Sequence, residues 1–183
     1  GEITYADGRT YKGGFKDANH HGEGTATWTN GTTYTGTWEE GQQSGTGRAT
    51  YPDGSVYEGE FVAGKRQGAG TLTTADGFTY DGAWSGGEIT GQGKATYANG
   101  DVYEGNFVGG NRQGQGTAIY ADGGRYEGDF VDGQRNGSGT YTGADGFTYT
   151  GDCNDGQITG RGVANYPNGT RLEGNFENGQ FTG

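Results

Sequence analysis

With 183 residues, 44 of them glycine and only 28% hydrophobic, the chain lacks the apolar material for a conventional buried core. That composition borders on low complexity, yet 13 Tyr, 8 Phe and 3 Trp recur at regular places and point to an ordered repeat. A net charge of −11 and an isoelectric point near 4.4 exclude nucleic acid as a partner and disfavour membrane lipid, since both surfaces are anionic.

The lone Cys153 excludes an intramolecular disulfide and a cysteine-built zinc site. It fits a reducing compartment or an exported protein that avoids cysteine, so composition leaves the localisation open. No apolar run approaches the roughly 20 residues of a membrane-spanning helix, and Gly1 opens no signal-peptide pattern. Without a single methionine, these residues are expected to be part of a longer chain.

In chain order, the first aromatic strand runs from Tyr11 to Phe15, and its counterparts begin at Tyr34, Tyr57, Tyr80, Tyr103, Tyr126, Tyr149 and Leu172. Every step is 23 residues, without insertion or deletion, so one continuous array of eight repeats is expected over 1–183. Two positions on from each start lies a glycine (Gly13, Gly36, Gly59, Gly82, Gly105, Gly128, Gly151, Gly174). Two further on lies a ring, from Phe15 and Trp38 to Phe176, with Cys153 as the exception.

This Y-x-G-x-[FW] segment alternates with period two, which puts its large residues on one face of a half-buried strand. Glu58, Glu60, Glu104 and Asp129 fall on the other. The stretch GTGRATYPDG holds a second such strand, with Gly45, Gly47, Ala49 and Tyr51 on one face and Thr46, Arg48 and Thr50 on the other. Asp or Asn before Gly in PDGS, TNGT and PNGT marks turns that need φ > 0, and Gly64, Gly87, Gly110, Gly133 and Gly156 mark the alternate connection.

Together these signals predict an all-β fold with no helix: an elongated, twisted, single-layer antiparallel meander of eight hairpins. About 15–16 strands spaced about 4.8 Å apart would make a ribbon roughly 70–80 Å long. A single hairpin buries too little to fold alone, so stacking between repeats must supply the stability.

The segment YEGEFVAGKRQGAGTLTTADG closely resembles the MORN repeat (membrane occupation and recognition nexus), whose consensus is near Y-x-G-x-[FW]-x-x-G-x-x-x-G-x-G. The resemblance runs end to end. It implies a single-layer sheet with an aromatic groove and a non-catalytic, cytoplasmic role as a scaffold, a dimerising rod or a groove for partner peptides or helices. Composition fits an extracellular or cell-surface protein equally well.

Departures from the pattern are informative. Ala18 replaces a turn glycine, and the second-strand ring column (Tyr5, Trp28, Tyr51, Tyr97, Tyr120, Tyr166) is broken at Thr74 and Gly143. In each broken repeat a phenylalanine, Phe78 or Phe147, follows four residues later as a compensating ring. The two variant repeats lie 69 residues apart, which reads as duplication of a three-repeat unit.

Residues 57–71 superficially resemble a phosphate loop, but they lack the adjacent Lys-[Ser/Thr] and the following helix that such loops use. Lys65, Arg66, Arg112 and Arg135 form a basic column that could meet a polyanion, although a solvated turn is the better reading. Asp53, Asp76, Asp122 and Asp145 occupy turn positions favoured for backbone hydrogen bonding rather than a calcium site. His20 and His21 read as an exposed loop, and Cys153 as a small apolar filler.

No catalytic residue, metal site or cofactor is expected. The predicted function is protein binding, with a protein or peptide partner in an aromatic groove centred on Tyr57, Phe61, Tyr80, Trp84, Tyr97, Tyr103, Phe107, Tyr120, Tyr126 and Phe130. The alternative is homo-oligomeric self-assembly of the chain with itself, end to end through open edge strands. Anionic-lipid recognition is a second alternative that the charge opposes.

Overall fold

The computed structural model describes residues 1–183 and contains antiparallel strands and turns with no helix. Its backbone divides into two compact units, Gly1–Ile89 and Thr90–Gly183. The first holds β1 (Glu2–Thr4), β2 (Thr10–Lys16), β3 (Asn19–Thr27), β4 (Thr33–Glu39), β5 (Gln42–Thr50), β6 (Val56–Val62), β7 (Lys65–Thr73) and β8 (Thr79–Ser85), each paired with the next. The second opens within β9 (Glu88–Thr96) and continues through β10 (Val102–Val108), β11 (Asn111–Ile119), β12 (Arg125–Val131), β13 (Gln134–Thr142), β14 (Thr148–Asn154), β15 (Gln157–Asn165), β16 (Arg171–Glu177) and β17 (Gln180–Phe181). Its strands also pair in sequence order. The total of 17 exceeds the expected 15–16 because the short β1 and β17 pair with their neighbours at either end of the chain.

Two kinds of turn alternate along the meander. In the first, two residues with positive φ close the hairpin, as in Ala63 (48°) and Gly64 (81°) between Val62 and Lys65. That is the mirror-image turn whose twist matches a right-handed strand pair. The N–H of its glycine reaches back to the preceding repeat: Gly41 to the His20 carbonyl, Gly64 to Gln43 and Gly87 to Arg66, each at 2.9 Å. In the second, Asp53 Oδ1 accepts from the Ser55 N–H at 2.8 Å while Gly54, with φ of 86°, donates to the Tyr51 carbonyl. Both connections meet the expectation that glycine supplies positive φ.

Ala18 holds the turn conformation of the glycine it replaces, at φ of 63°. A β-carbon there costs about 1 kcal/mol that glycine avoids. Ala18→Gly should therefore raise the stability of the first unit by about 1 kcal/mol, read as a higher midpoint in thermal or urea unfolding. A lower midpoint would contradict the strain.

The core consists of the tyrosines that open each repeat. Tyr34, Tyr57, Tyr80, Tyr103, Tyr126 and Tyr149 are fully buried. Each ring lies along the glycine pair of its own hairpin, such as Gly105 opposite Gly116, and its hydroxyl donates to a carbonyl three residues on. Tyr57 donates to Glu60 O and Tyr103 to Asn106 O, both at 2.8 Å. The strand register shifts at that point, between Gly59 and Phe61 or Gly105 and Phe107. The bulge lets a bulky ring and a close strand pair coexist.

The second ring of each segment then joins two repeats. Phe61 packs edge-on against Tyr57 of its own hairpin and Tyr34 of the one before, both with centroids 5.0 Å apart. Phe130 does the same for Tyr126 and Tyr103 in the second unit. Edge-to-face pairs of this kind add about 0.5–1.5 kcal/mol beyond their burial. Cys153 occupies that position in its repeat, buried as an apolar filler, and burial pushes its thiol pKa up.

Candidate binding surface

Of the ten rings expected to line a groove, eight are consumed by the packing between repeats. Tyr57, Phe61, Tyr80, Trp84, Tyr103, Phe107, Tyr126 and Phe130 all lie within 4% of full burial. They form the wall beneath the surface. Tyr97 and Tyr120, from the second-strand column, stay half-buried and reach the surface itself.

The arginines are placed differently from a solvated turn. Arg66 lies directly opposite Phe61 in the β6–β7 pair, so alternation points its side chain onto the aromatic face. Its guanidinium carbon sits 4.6 Å from the Trp84 ring centre, 5.6 Å from Tyr57 and 5.8 Å from Tyr51. Arg112 lies over Tyr97, Tyr103 and Phe130, and Arg135 over Tyr120, Tyr126 and Tyr141. Arg135 and Arg112 also cap a turn of the next repeat, Arg135 Nη2 donating to Gly156 O at 2.6 Å and Arg112 to Gly133 O.

These three are half-buried lids on the ring column, held by cation–π attraction and, for Arg112 and Arg135, by carbonyls, rather than charges in water. Lys65 pairs with Val62 beside the turn, and it is the member of the basic column that stays exposed.

His20 occupies the same repeat position and corrects the exposed-loop expectation. It lies within β3, stacked on Tyr11 with centroids 3.6 Å apart, and its Nε2 shares a 2.6 Å hydrogen bond with the Tyr5 hydroxyl. Burial, and then the positive charge of Arg9, push its pKa down.

At the turn edge of the second unit a row of rings remains partly open. Tyr120 stands 6.4 Å from Tyr141, Tyr141 stands 6.2 Å from Phe147, and Phe147 stands 5.1 Å from Tyr166. These rings meet at interplanar angles of 48–55° instead of edge-on as in the core, and all four stay half-buried. Beside this row lies an open depression of about 490 Å³, lined by Asp101, Tyr120, Ala121, Asp122, Arg135, Tyr141 and Ile158. A second, of about 290 Å³, shares Asp122 and Tyr141 with it and extends to Asp145 and Phe147.

Phe147 fills the ring place that Gly143 leaves vacant, as its spacing suggests, and closes the hairpin through a 2.7 Å bond from the Gly143 N–H to its carbonyl. Tyr141 was missed from the sequence. It replaces the alanine of every other complete return strand except Leu72, at Ala26, Ala49, Ala95, Ala118 and Ala164, and that departure was its signal. No three His, Cys, Asp or Glu side chains converge on a point where a metal could sit.

The recurring unit can now be compared with known ones. Seven successive stretches, 11–33, 34–56, 57–79, 80–102, 103–125, 126–148 and 149–171, match the family described as MORN repeat. The chain belongs to the MORN-repeat family. In its MORN repeats the first Tyr is the buried ring, the glycines two and thirteen positions on form the floor beneath it, and the later [FW] bridges to the repeat before.

Among solved structures, the fold is similar to the SAS-4 (dCPAP) TCP domain of Drosophila melanogaster in complex with a proline-rich motif of Ana2 (dSTIL). The two are 16% identical over 94% of this chain and 88% of that one, with a TM-score of 0.52. It is also similar to the wild-type TCP10 domain of Danio rerio CPAP, at 12% identity over 93% and 80% of the chains and a TM-score of 0.53. At such identities the likeness is one of fold. No curated protein matches the chain.

Proposed function

We propose that this MORN array is a non-catalytic scaffold that binds an extended segment of another protein along the half-open ring row of its second unit. Tyr97, Tyr120, Tyr141 and Phe147 are the contact rings, while Tyr103, Phe107, Tyr126 and Phe130 support them from below. The carrying observation is the contrast between the two ring sets: the core rings satisfy one another edge-on, and the turn-edge rings stay half-buried beside an open depression. Rigid aromatic surfaces with little rotamer entropy to lose are suited to extended, proline-rich chains. A TCP domain of similar fold, solved with a proline-rich motif, supports this choice of partner.

The test is calorimetric titration of a proline-rich peptide panel against the wild type and Tyr120→Ala/Tyr141→Ala. The double variant should bind at least about tenfold more weakly, as expected for loss of an aromatic anchor. Its unfolding midpoint should change far less than that of Tyr103→Ala, whose ring is in the core. Undiminished affinity in the double variant would reject this surface.

A further inference from the structure

We infer that the segment bound on this surface is basic, with two lysines or arginines three residues apart; the inference rests on the peptide-binding reading above. Between Thr90 and Gly183 eleven Asp and Glu face six Lys and Arg, and most of the six are already engaged. Arg112 and Arg135 lie over rings, Arg125 pairs with Glu127 at 3.0 Å and Arg171 with Glu173 at 2.7 Å. Beside the ring row, by contrast, stand the carboxylates of Asp101, Asp122 and Asp145.

Each of these carboxylates spends one oxygen on a backbone N–H. Asp101 Oδ1 accepts from Ala121, Asp122 Oδ1 from Gly124 and Asp145 Oδ1 from Phe147, at 2.8, 2.8 and 3.0 Å. Those bonds fix the carboxylates at the rim of the depression, and the second oxygen of Asp122 and of Asp145 is left for a ligand. An aromatic floor edged by fixed negative charge is complementary to a chain that combines apolar rings with cationic side chains.

The spacing sets the period. Asp122 and Asp145 are equivalent positions in successive repeats, two strands apart, so they stand about 10 Å from each other across strands spaced about 4.8 Å. A polyproline II chain rises about 3.1 Å per residue with three residues per turn, returning the same face every 9 Å or so. A segment laid across the strands therefore presents two side chains one turn apart to Asp122 and Asp145, with Asn99 and Asn168 at the equivalent places on either side, and prolines between them meet the rings.

The experiment titrates the intact chain with peptides of Pro-Pro-Lys, Pro-Pro-Gln and Pro-Pro-Glu repeats, and with a lysine peptide of equal composition whose lysines are clustered. The regular lysine peptide should bind about tenfold tighter than the glutamine one at low salt, with the gap closing as salt rises. Glutamate repeats should bind weakest. Asp122→Asn/Asp145→Asn should weaken the lysine peptide about fivefold and leave the glutamine peptide unchanged. That variant keeps its turns, because Asn30, Asn99 and Asn168 hold the same backbone bond at equivalent positions, each at 2.9 Å.

Equal binding of lysine and glutamine peptides, both weakened by Tyr120→Ala, would overturn the charge inference while sparing the ring surface. Clustered lysines binding as tightly as spaced ones would overturn the period. If none of the peptides binds, the peptide-binding reading falls and takes this inference with it.

Discussion

Gly105→Ala should cost more than about 4 kcal/mol and leave the second unit largely unfolded at room temperature. An added β-carbon would lie 2.6 Å from the Gly116 α-carbon, 2.7 Å from the Gln115 carbonyl oxygen and 2.8 Å from the Tyr103 hydroxyl. Two of those neighbours are backbone of the paired strand, which cannot retreat without parting the ladder. Gly116→Ala makes a different collision, with the Tyr103 ring, whose Cζ would be 2.5 Å away. Trimming the ring can relieve that one. In a double-mutant cycle, Tyr103→Ala should restore part of the stability lost in Gly116→Ala and none of that lost in Gly105→Ala. The readout is urea unfolding followed by circular dichroism, and equal rescue of both glycines would disprove this division of roles.

Above pH 10 the protein should unfold cooperatively with the release of several protons. Burial pushes the phenols of Tyr34, Tyr57, Tyr103, Tyr126 and Tyr149 up to about 12 and raises those of Tyr11 and Tyr80 as well. Unfolded tyrosine titrates near 10. A raised folded pKa means that the stability from these neutral rings is complete below about 10 and is lost as pH climbs from about 10 to 12, where the unfolded chain binds fewer protons. Each phenol contributes on the order of 1–2 kcal/mol to that loss. Tyrosinate absorbance and the circular dichroism signal should therefore rise and fall together in one steep transition, and Tyr103→Phe should reduce the protons released by one. Ionisation of these seven buried tyrosines near pH 10 in a still-folded protein would refute the prediction.

Most of the fold was legible in the sequence because its determinants are local and repeat without slippage. Ring, glycine and turn columns at fixed 23-residue steps leave one antiparallel meander as the consistent reading, and the strand boundaries fall where those columns place them. Alternation tells which face a ring shares, but not how deep it lies on that face. Tyr103 and Tyr120 stand in different columns, yet both were expected in the groove. One is wedged between bridging phenylalanines and the other flanks an open edge. The arginines misled for a related reason: Arg66, Arg112 and Arg135 sit next to turns in the chain, yet they fall on the aromatic face and their long stems carry the charge over rings. Tyr141 broke an alanine column and could have been found by asking which small positions had grown.

Within each unit the mirror-image turns are completed by a carbonyl of the preceding repeat: Gly41 on His20, Gly64 on Gln43 and Gly87 on Arg66 in the first, Gly133 on Arg112, Gly156 on Arg135 and Gly179 on Ile158 in the second. The bond always spans the same stretch of chain, so every hairpin behaves as an interchangeable tile that fits any predecessor of its own kind. Loss or gain of a whole 23-residue tile leaves each joint as it was, whereas a change of a single residue within one would move a glycine off its acceptor and a ring off its floor. The fold thus leaves the number of tiles open while holding the size of each one fixed.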